Sequence, residues 1–363
     1  MAVVALLAAA ILSGRGSNPG RSRTSRGPDG ADRPVFGDTL ALPRGLGDLT
    51  AGEPVHVTFA STQREGAGTL YRLWRLELPS GRLAAGPAVG EVTRIVHAPP
   101  PHDQRIAFLV NGGGLFVLDG FVGRLPTLIA DDVEAADFDR LGRLVFASAH
   151  QRPDRSDGTT VTEIRYGLLD AGAELPAFEA TDVLDYPIRA MTVRGGHIYA
   201  WGTKGGQQVL TSIAPGRPDS LAEHLLGTSF IEDLGPGGLA LLSPSVAPSI
   251  VLSPTSRARP AVSLGLRVHR VLAWGAGSFV AFAGSPRGST SRLYVISLDG
   301  AQRRLRSLTA GLGPGSIDLS PRETLLAWSQ GREIRVTRRD TGRTLSVVLP
   351  DDVPDLLGPL AVG

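Results

Sequence analysis

Four charged residues, Arg94, Glu134, Arg189 and Arg270, each stand four places before the end of a short β-rich run, the runs ending at Ala98, Phe138, Val193 and Trp274. Three guanidiniums and one carboxylate at one height would make an array of forked donors suited to a carboxylate or an acidic peptide. The plainer alternative is that these arginines pair locally with loop carboxylates. One place before the same alignment point, with Leu234 and Leu319 ending two further runs, stand His97, Asp137, Thr192, Asp233 and Asp318. Carboxylates gathered there could hold a cation or shift one another's protonation. An Asp at a strand end also caps the turn that follows it.

Other chemistry lacks its residues. The chain has no cysteine, which excludes disulfides, thiolate catalysis, iron–sulfur clusters and cysteine zinc sites. Nucleophilic hydrolysis on an elbow needs G-x-S-x-G, which is absent. The seven histidines form no H-x-x-H or H-E-x-x-H pair, and no D-x-D-x-D-G calcium loop or sialidase-type Asp-box occurs. The glycine runs at Gly112-Gly113-Gly114 and Gly205-Gly206 lack the Lys and Ser or Thr of a phosphate loop, and are expected as hairpin turns. The expectation is therefore no catalytic residues, no metal and no cofactor.

The elements that must position the two registers repeat along the chain. Apolar tetrapeptides begin at Val57, Ile106, Leu144, Ile198, Leu239, Val280 and Leu325, spaced 49, 38, 54, 41, 41 and 45 residues apart. Periods of this size mark stacked supersecondary units, and about 40 to 50 residues suits a propeller blade. Each unit reads as four short runs of β-branched and aromatic residues bounded by Gly, Pro, Asn or Asp. In the second unit these are 92–98, 104–110, 114–119 and 124–130. The third unit carries a polar insertion from His150 to Thr160 in its central hairpin. Tryptophans 74, 201, 274 and 328 fall in strands of different units and are expected in the packing between them.

The first unit lacks a first strand, and 355–363 (DLLGPLAVG) is a first strand with nothing after it. The expected fold is all-β: a seven-bladed β-propeller of four-stranded antiparallel blades, the first closed by the C-terminal strand. Six blades would result if the weak fifth unit were misread. The expected divisions are an apolar export or anchor segment at 1–12, a disordered Arg/Gly/Pro/Ser linker at 13–37, and the propeller at 38–363. With 42% hydrophobic residues the chain can fill such a core.

The formal net charge is +2, of which residues 13–34 carry +3 (Arg15, Arg21, Arg23, Arg26 and Arg33 against Asp29 and Asp32), leaving −1 elsewhere. Phosphate-backbone binding needs a basic stripe, so no nucleic-acid partner is expected. The apolar run up to Leu12 matches a signal-peptide core and is too short to span a bilayer. Its basic residues follow instead of precede it. The expectation is an upstream start and an exported or envelope-anchored protein, with a cytoplasmic one if Met1 is the true start. Membrane association would involve this segment only.

The turn Leu319-Ser320-Pro321-Arg322-Glu323 before TLLAW, the turn Phe138-Asp139-Arg140-Leu141-Gly142 before RLVFA, and the hairpin strand LYVISLDG at 293–300 resemble those of TolB-like and WD-repeat-like bacterial propellers. The resemblance covers most of 55–363 and concerns turns and packing, so it implies a fold and no chemistry. It also implies an exported or envelope-associated binding propeller, and the charged register adds the expectation of a monomeric binding or scaffold protein with a peptide, protein or small-anion partner at the channel mouth. The competing expectation is a propeller-type lyase or glycosidase acting through Asp137, Asp233 and Asp318.

Overall fold

The structure is a computed structural model. It describes residues 36–40, 45–50, 54–65, 68–102, 104–121, 124–151, 160–169, 179–194, 196–214, 217–227, 230–233, 239–242, 250–252, 267–273, 278–284, 291–299, 302–310, 317–320, 324–351, 353–354 and 358–363. Over 217–310 the description is mainly of strand backbones. The export segment and almost all of the linker lie outside the described residues, as do 152–159 of the polar insertion, Leu234 and Trp274.

The described strands form seven antiparallel sheets. Six are meanders in chain order, over 92–130, 133–184, 188–227, 230–252, 267–310 and 317–348. The fifth is described by three strands, Phe230–Asp233, Leu239–Leu242 and Ile250–Leu252. The first sheet has five strands, ordered Phe36–Thr39, Arg82–Val89, Gly68–Leu78, Val55–Glu65 and Leu360–Val362. In its outermost strand Phe36 pairs with Ala84 and Thr39 with Arg82.

The second strands of the seventh and second sheets show why the tetrapeptides are apolar throughout. In Leu325–Gln330, Leu325 and Ala327 pack with the first sheet, whereas Leu326 and Trp328 pack with the sixth. A strand covered on both faces cannot alternate with polar residues, so it reads as a continuous apolar run. The same holds for Ala107 and Leu109 against the third sheet and Ile106 and Phe108 against the first. Trp74, Trp201 and Trp328 are all buried, and the Trp74 indole donates to Ser61 Oγ at 2.8 Å.

The first strands of the sheets, called leading strands below, contact one another from the second sheet to the fourth and from the fifth to the seventh. Val92–His97 packs against Val133–Phe138, and that strand against Ile188–Arg194. Phe230–Asp233 packs against Arg267–Ala273, which reaches Ile317–Leu319. The chain end supplies the leading strand of the first sheet. Val57 pairs with Val362 and Phe59 with Leu360, and His56 and Gly363 exchange backbone hydrogen bonds of 2.9 and 2.8 Å. Leu360–Val362 also touches both Val92–His97 and Ile317–Leu319, so it sits between the second and seventh sheets.

Candidate functional site

The two ends of the leading strands are built differently. At the starting end four of the strands carry a β-bulge, an extra residue that bends the strand and re-aims a side chain. The pairings skip Thr93 in the second sheet, Glu134 in the third, Arg189 in the fourth and His269 in the sixth. Arg94 and Arg270 stand one residue further on and pair with Leu109 and Phe282. The four residues expected at one height therefore fall into two pairs: Glu134 with Arg189 at the bulge, and Arg94 with Arg270 beyond it. A one-residue offset in a strand moves a side chain to the other face, which separates the pairs.

Glu134 and Arg189 are exposed and Arg94 is half-buried; the Arg270 side chain lies outside the described residues. The Arg189 guanidinium lies 5.7 Å from the centre of the Trp201 ring, a cation–π contact that leaves its outer N–H groups to solvent. Between the second and third sheets the bulges flank a cleft of about 370 Å³. Thr93, Asp132 and Glu134 line it, together with the hairpin turn at Asn111, Gly112 and Gly113. Gly112 and Gly113 have φ of 96° and 85°, and a Cβ at Gly113 would crowd the backbone of Asp132 at 3.1 Å. The turn expected for the glycine run is thus also a wall of the cleft. Asn111 is held by Glu91, its backbone N–H on the Glu91 carbonyl at 2.7 Å and its amide on the carboxylate at 2.8 Å. Burial, and then the Glu91 carboxylate, push the Tyr71 phenol above its ordinary range.

At the finishing end the polar residues are engaged with the fold. Asp137 accepts from its neighbour Phe138 N–H at 2.9 Å, and from the fourth sheet through Val193 N–H at 3.1 Å and the Thr192 hydroxyl at 3.3 Å. Asp318 accepts from Val362 N–H at 2.8 Å, which ties the seventh sheet to the last strand. Each carboxylate joins its own leading strand to the next one. The turn capping expected of Asp137 and Asp318 falls instead to residues of the turns beyond. Asp139 accepts from Leu141 and Arg143 N–H, both at 2.9 Å, and pairs with the Arg143 guanidinium at 2.5 Å. Ser320 Oγ accepts from Leu325 N–H at 3.1 Å.

His97 is not a member of this register. It pairs with Ile106, as Phe138 pairs with Leu144 and Val193 with Ile198, so it shares their ladder position. Its ring lies against Gly363 of the first sheet, on the opposite side from Asp137's counterpart, Val96. Asp233 pairs with Leu239, and its side chain lies outside the described residues. Among the described residues no group of three or more His, Asp or Glu is placed to hold a metal ion. Among them too, no helix is long and apolar enough to cross a membrane.

Residue types could not reveal the importance of Thr93, Asp132, Asn111 and His269, since a bulge or a cleft wall has no compositional signature. The only sequence signal nearby was the Gly112-Gly113-Gly114 run.

No protein-family model matches the chain, and no curated protein matches it. Solved structures do. The acylaminoacyl peptidase of Pyrococcus horikoshii is 13% identical over 82% of this chain and 51% of its own, with a TM-score of 0.56. The β-propeller domain of the Trilobed protease from Pyrococcus furiosus, described as having an open velcro topology, is 11% identical over 88% of this chain and 97% of its own, with a TM-score of 0.54. The WD40 β-propeller domain of Doa1 is 13% identical over 72% and 83%, with a TM-score of 0.47. The chain spans about half the length of the Pyrococcus horikoshii peptidase and of the dipeptidyl peptidase 4 of Porphyromonas gingivalis. At these identities the likeness concerns the fold, and the chain has the β-propeller fold.

Proposed function

We propose that the protein is a seven-bladed propeller, closed by strand Leu360–Val362, that works as a non-enzymatic binding scaffold on the face where its leading strands begin. The observation that carries this reading is the contrast between the strand ends. Asp137 and Asp318 are held by backbone N–H groups of the next strand, whereas Glu134 and Arg189 project from bulges into solvent. A carboxylate that accepts backbone N–H groups is a weaker general base than a free one, which favours the binding reading over a lyase or glycosidase.

The partner is an acidic peptide or protein segment, held by Arg189 at its bulge, with Arg94 as a second contact one residue beyond the neighbouring bulge. Arg189 is presented on an aromatic face, an arrangement that holds the guanidinium plane while keeping its fork open to a carboxylate. The apolar segment at 1–12 directs export or anchoring, and the propeller acts as a monomer outside the cytoplasm.

Calorimetric titration of the full chain with a glutamate-rich peptide tests the reading, with a lysine-rich peptide as control. Arg189→Ala and Arg94→Ala should each weaken binding by about 1 to 3 kcal/mol, the range for a hydrogen bond to a charged group. Glu134→Gln should strengthen it. Affinity should fall with salt, since exposed charges are screened beyond ~8 to 10 Å at physiological ionic strength. Binding that ignores all three substitutions would rule out the rim.

A further inference from the structure

The chain has two asparagines, and only one of them can be attacked by the backbone nitrogen that follows it. Asn18 precedes Pro19, whose nitrogen carries no proton. Asn111 precedes Gly112, in the turn that leads from Arg105–Val110 to Leu115–Asp119. Both residues are exposed. A Cβ placed on Gly112 would meet nothing within 4 Å, so no neighbour crowds a ring built on this peptide. Within the turn, the Asn111 N–H is bonded to the Glu91 carbonyl at 2.7 Å and the Gly113 N–H to the Val110 carbonyl at 3.0 Å. Among the described residues, the Gly112 N–H has no acceptor.

We propose that Asn111-Gly112 is a site of spontaneous covalent modification, deamidation through a cyclic imide, and that the Glu91 carboxylate sets its rate. The Gly112 nitrogen gives up its proton and attacks Cγ of Asn111. A new N–C bond closes the ring, and the side-chain nitrogen leaves as ammonia. Water then adds to either ring carbonyl and opens the ring, leaving an aspartate or an isoaspartate at position 111. Solvent water is the sole co-reactant. The step needs no partner, so it stands whether or not the rim binds a peptide.

Glu91 opposes ring closure. The Asn111 amide donates to Glu91 Oε2 at 2.8 Å, and the backbone N–H of the same residue is also bonded to Glu91. Both bonds hold Asn111 to Glu91, whereas reaction requires Cγ to meet the nitrogen of Gly112. The side chain must turn and release the carboxylate first.

The product changes the cleft. A carboxylate at position 111 faces that of Glu91 at hydrogen-bond distance, where like charges repel. Isoaspartate also adds a methylene to the main chain of a turn whose Gly113 carbonyl accepts from Val133 N–H at 2.7 Å, a bond between the second sheet and the third. Conversion therefore adds negative charge to the starting face and loosens one wall of the cleft.

The full chain, aged in neutral water enriched in heavy oxygen and mapped by mass spectrometry, tests the site, with the free tetrapeptide Val-Asn-Gly-Gly as the clock. Label should enter at position 111, and the isoaspartate formed there should accept methyl groups from an isoaspartyl methyltransferase. Release of a hydrogen bond to a charged acceptor should make the folded chain about ten- to a hundredfold slower than the tetrapeptide. The urea-unfolded chain should keep pace with the tetrapeptide. Glu91→Ala should bring the folded rate close to the clock, and Glu91→Gln, which keeps an oxygen acceptor without the charge, should fall between the two. A melt of each variant before ageing shows that it is folded, and the isosteric Glu91→Gln decides if Glu91→Ala is not. A folded wild-type chain that converts more than about a thousandfold more slowly than the tetrapeptide, beyond what one such bond supplies, would overturn the site. A rate that ignores the Glu91 substitutions would overturn the role of that carboxylate.

Discussion

The starting and finishing ends of the leading strands use similar residue types for opposite purposes. At the finishing ends, Asp137 and Asp318 face the neighbouring strand and each accepts a backbone N–H from it. At the starting ends, bulges lift Glu134 and Arg189 out of the ladder and into solvent. A buried or half-buried carboxylate is costly unless donors surround it, so the regular end of the strand must use its acids for cohesion. The irregular end carries no such obligation. A carboxylate in a propeller's polar register is therefore informative about function only once its hydrogen-bond partners are known.

The largest expected effect comes from removing the strand on which the finishing ends converge. Deleting residues 360–363 strips the first sheet of its partner for Val57, Thr58 and Phe59 and leaves Asp318 without Val362. It should expose a sheet edge and cause aggregation, visible by light scattering. A monomeric product with an unchanged melt would show that the last strand is dispensable.

Asp137→Ala comes next. It leaves Phe138 N–H, Val193 N–H and the Thr192 hydroxyl without their acceptor, and should cost about 2 to 3 kcal/mol in urea unfolding, as charged hydrogen-bond partners do. Asp318→Ala removes one such contact and should cost less, about 1 to 2 kcal/mol by the same reasoning. Equal and negligible costs would erase the difference between the two ends.

Substitutions at the starting ends should be milder. Glu134→Ala and Arg189→Ala should each alter stability by no more than about 0.5 kcal/mol, as exposed positions do, while changing peptide affinity in opposite directions. The smallest effect belongs to Asp340, an exposed residue on the turn after Glu333–Arg338. Its hydrogen bond from Arg338 holds the carboxyl below the ordinary range. The contribution is present above the unfolded-state value, near pH 4, and disappears as pH falls further. Asp340→Asn should lower the melt at neutral pH by less than any substitution above, and should leave it unchanged well below pH 4.

Much of the architecture was legible from the chain. The apolar tetrapeptides had to be strands covered on both faces, and Leu325–Gln330 and Arg105–Val110 are. Asp139 and Ser320 were legible as turn residues, and they cap those turns because a short acceptor side chain there reaches the N–H groups that the turn leaves open. Pairing of the chain end with the first unit followed from a strand without a sheet and a sheet without a strand.

Register was another matter. Counting back from the turns put Arg94 beside Glu134 and His97 beside Asp137, and each comparison missed by one residue. Turn length and bulges are decided by how strands twist and pack against their neighbours, and neither leaves a mark on residue type. Because side chains alternate faces with a period of two, that single residue decides which sheet His97 meets and which charges share a rim. The sequence by itself determined the repeating strands, their turns and their apolar faces, since those depend on local pattern and composition. Only the tertiary structure decided which polar groups are consumed in joining the sheets and which face solvent, since that depends on neighbours distant in the chain.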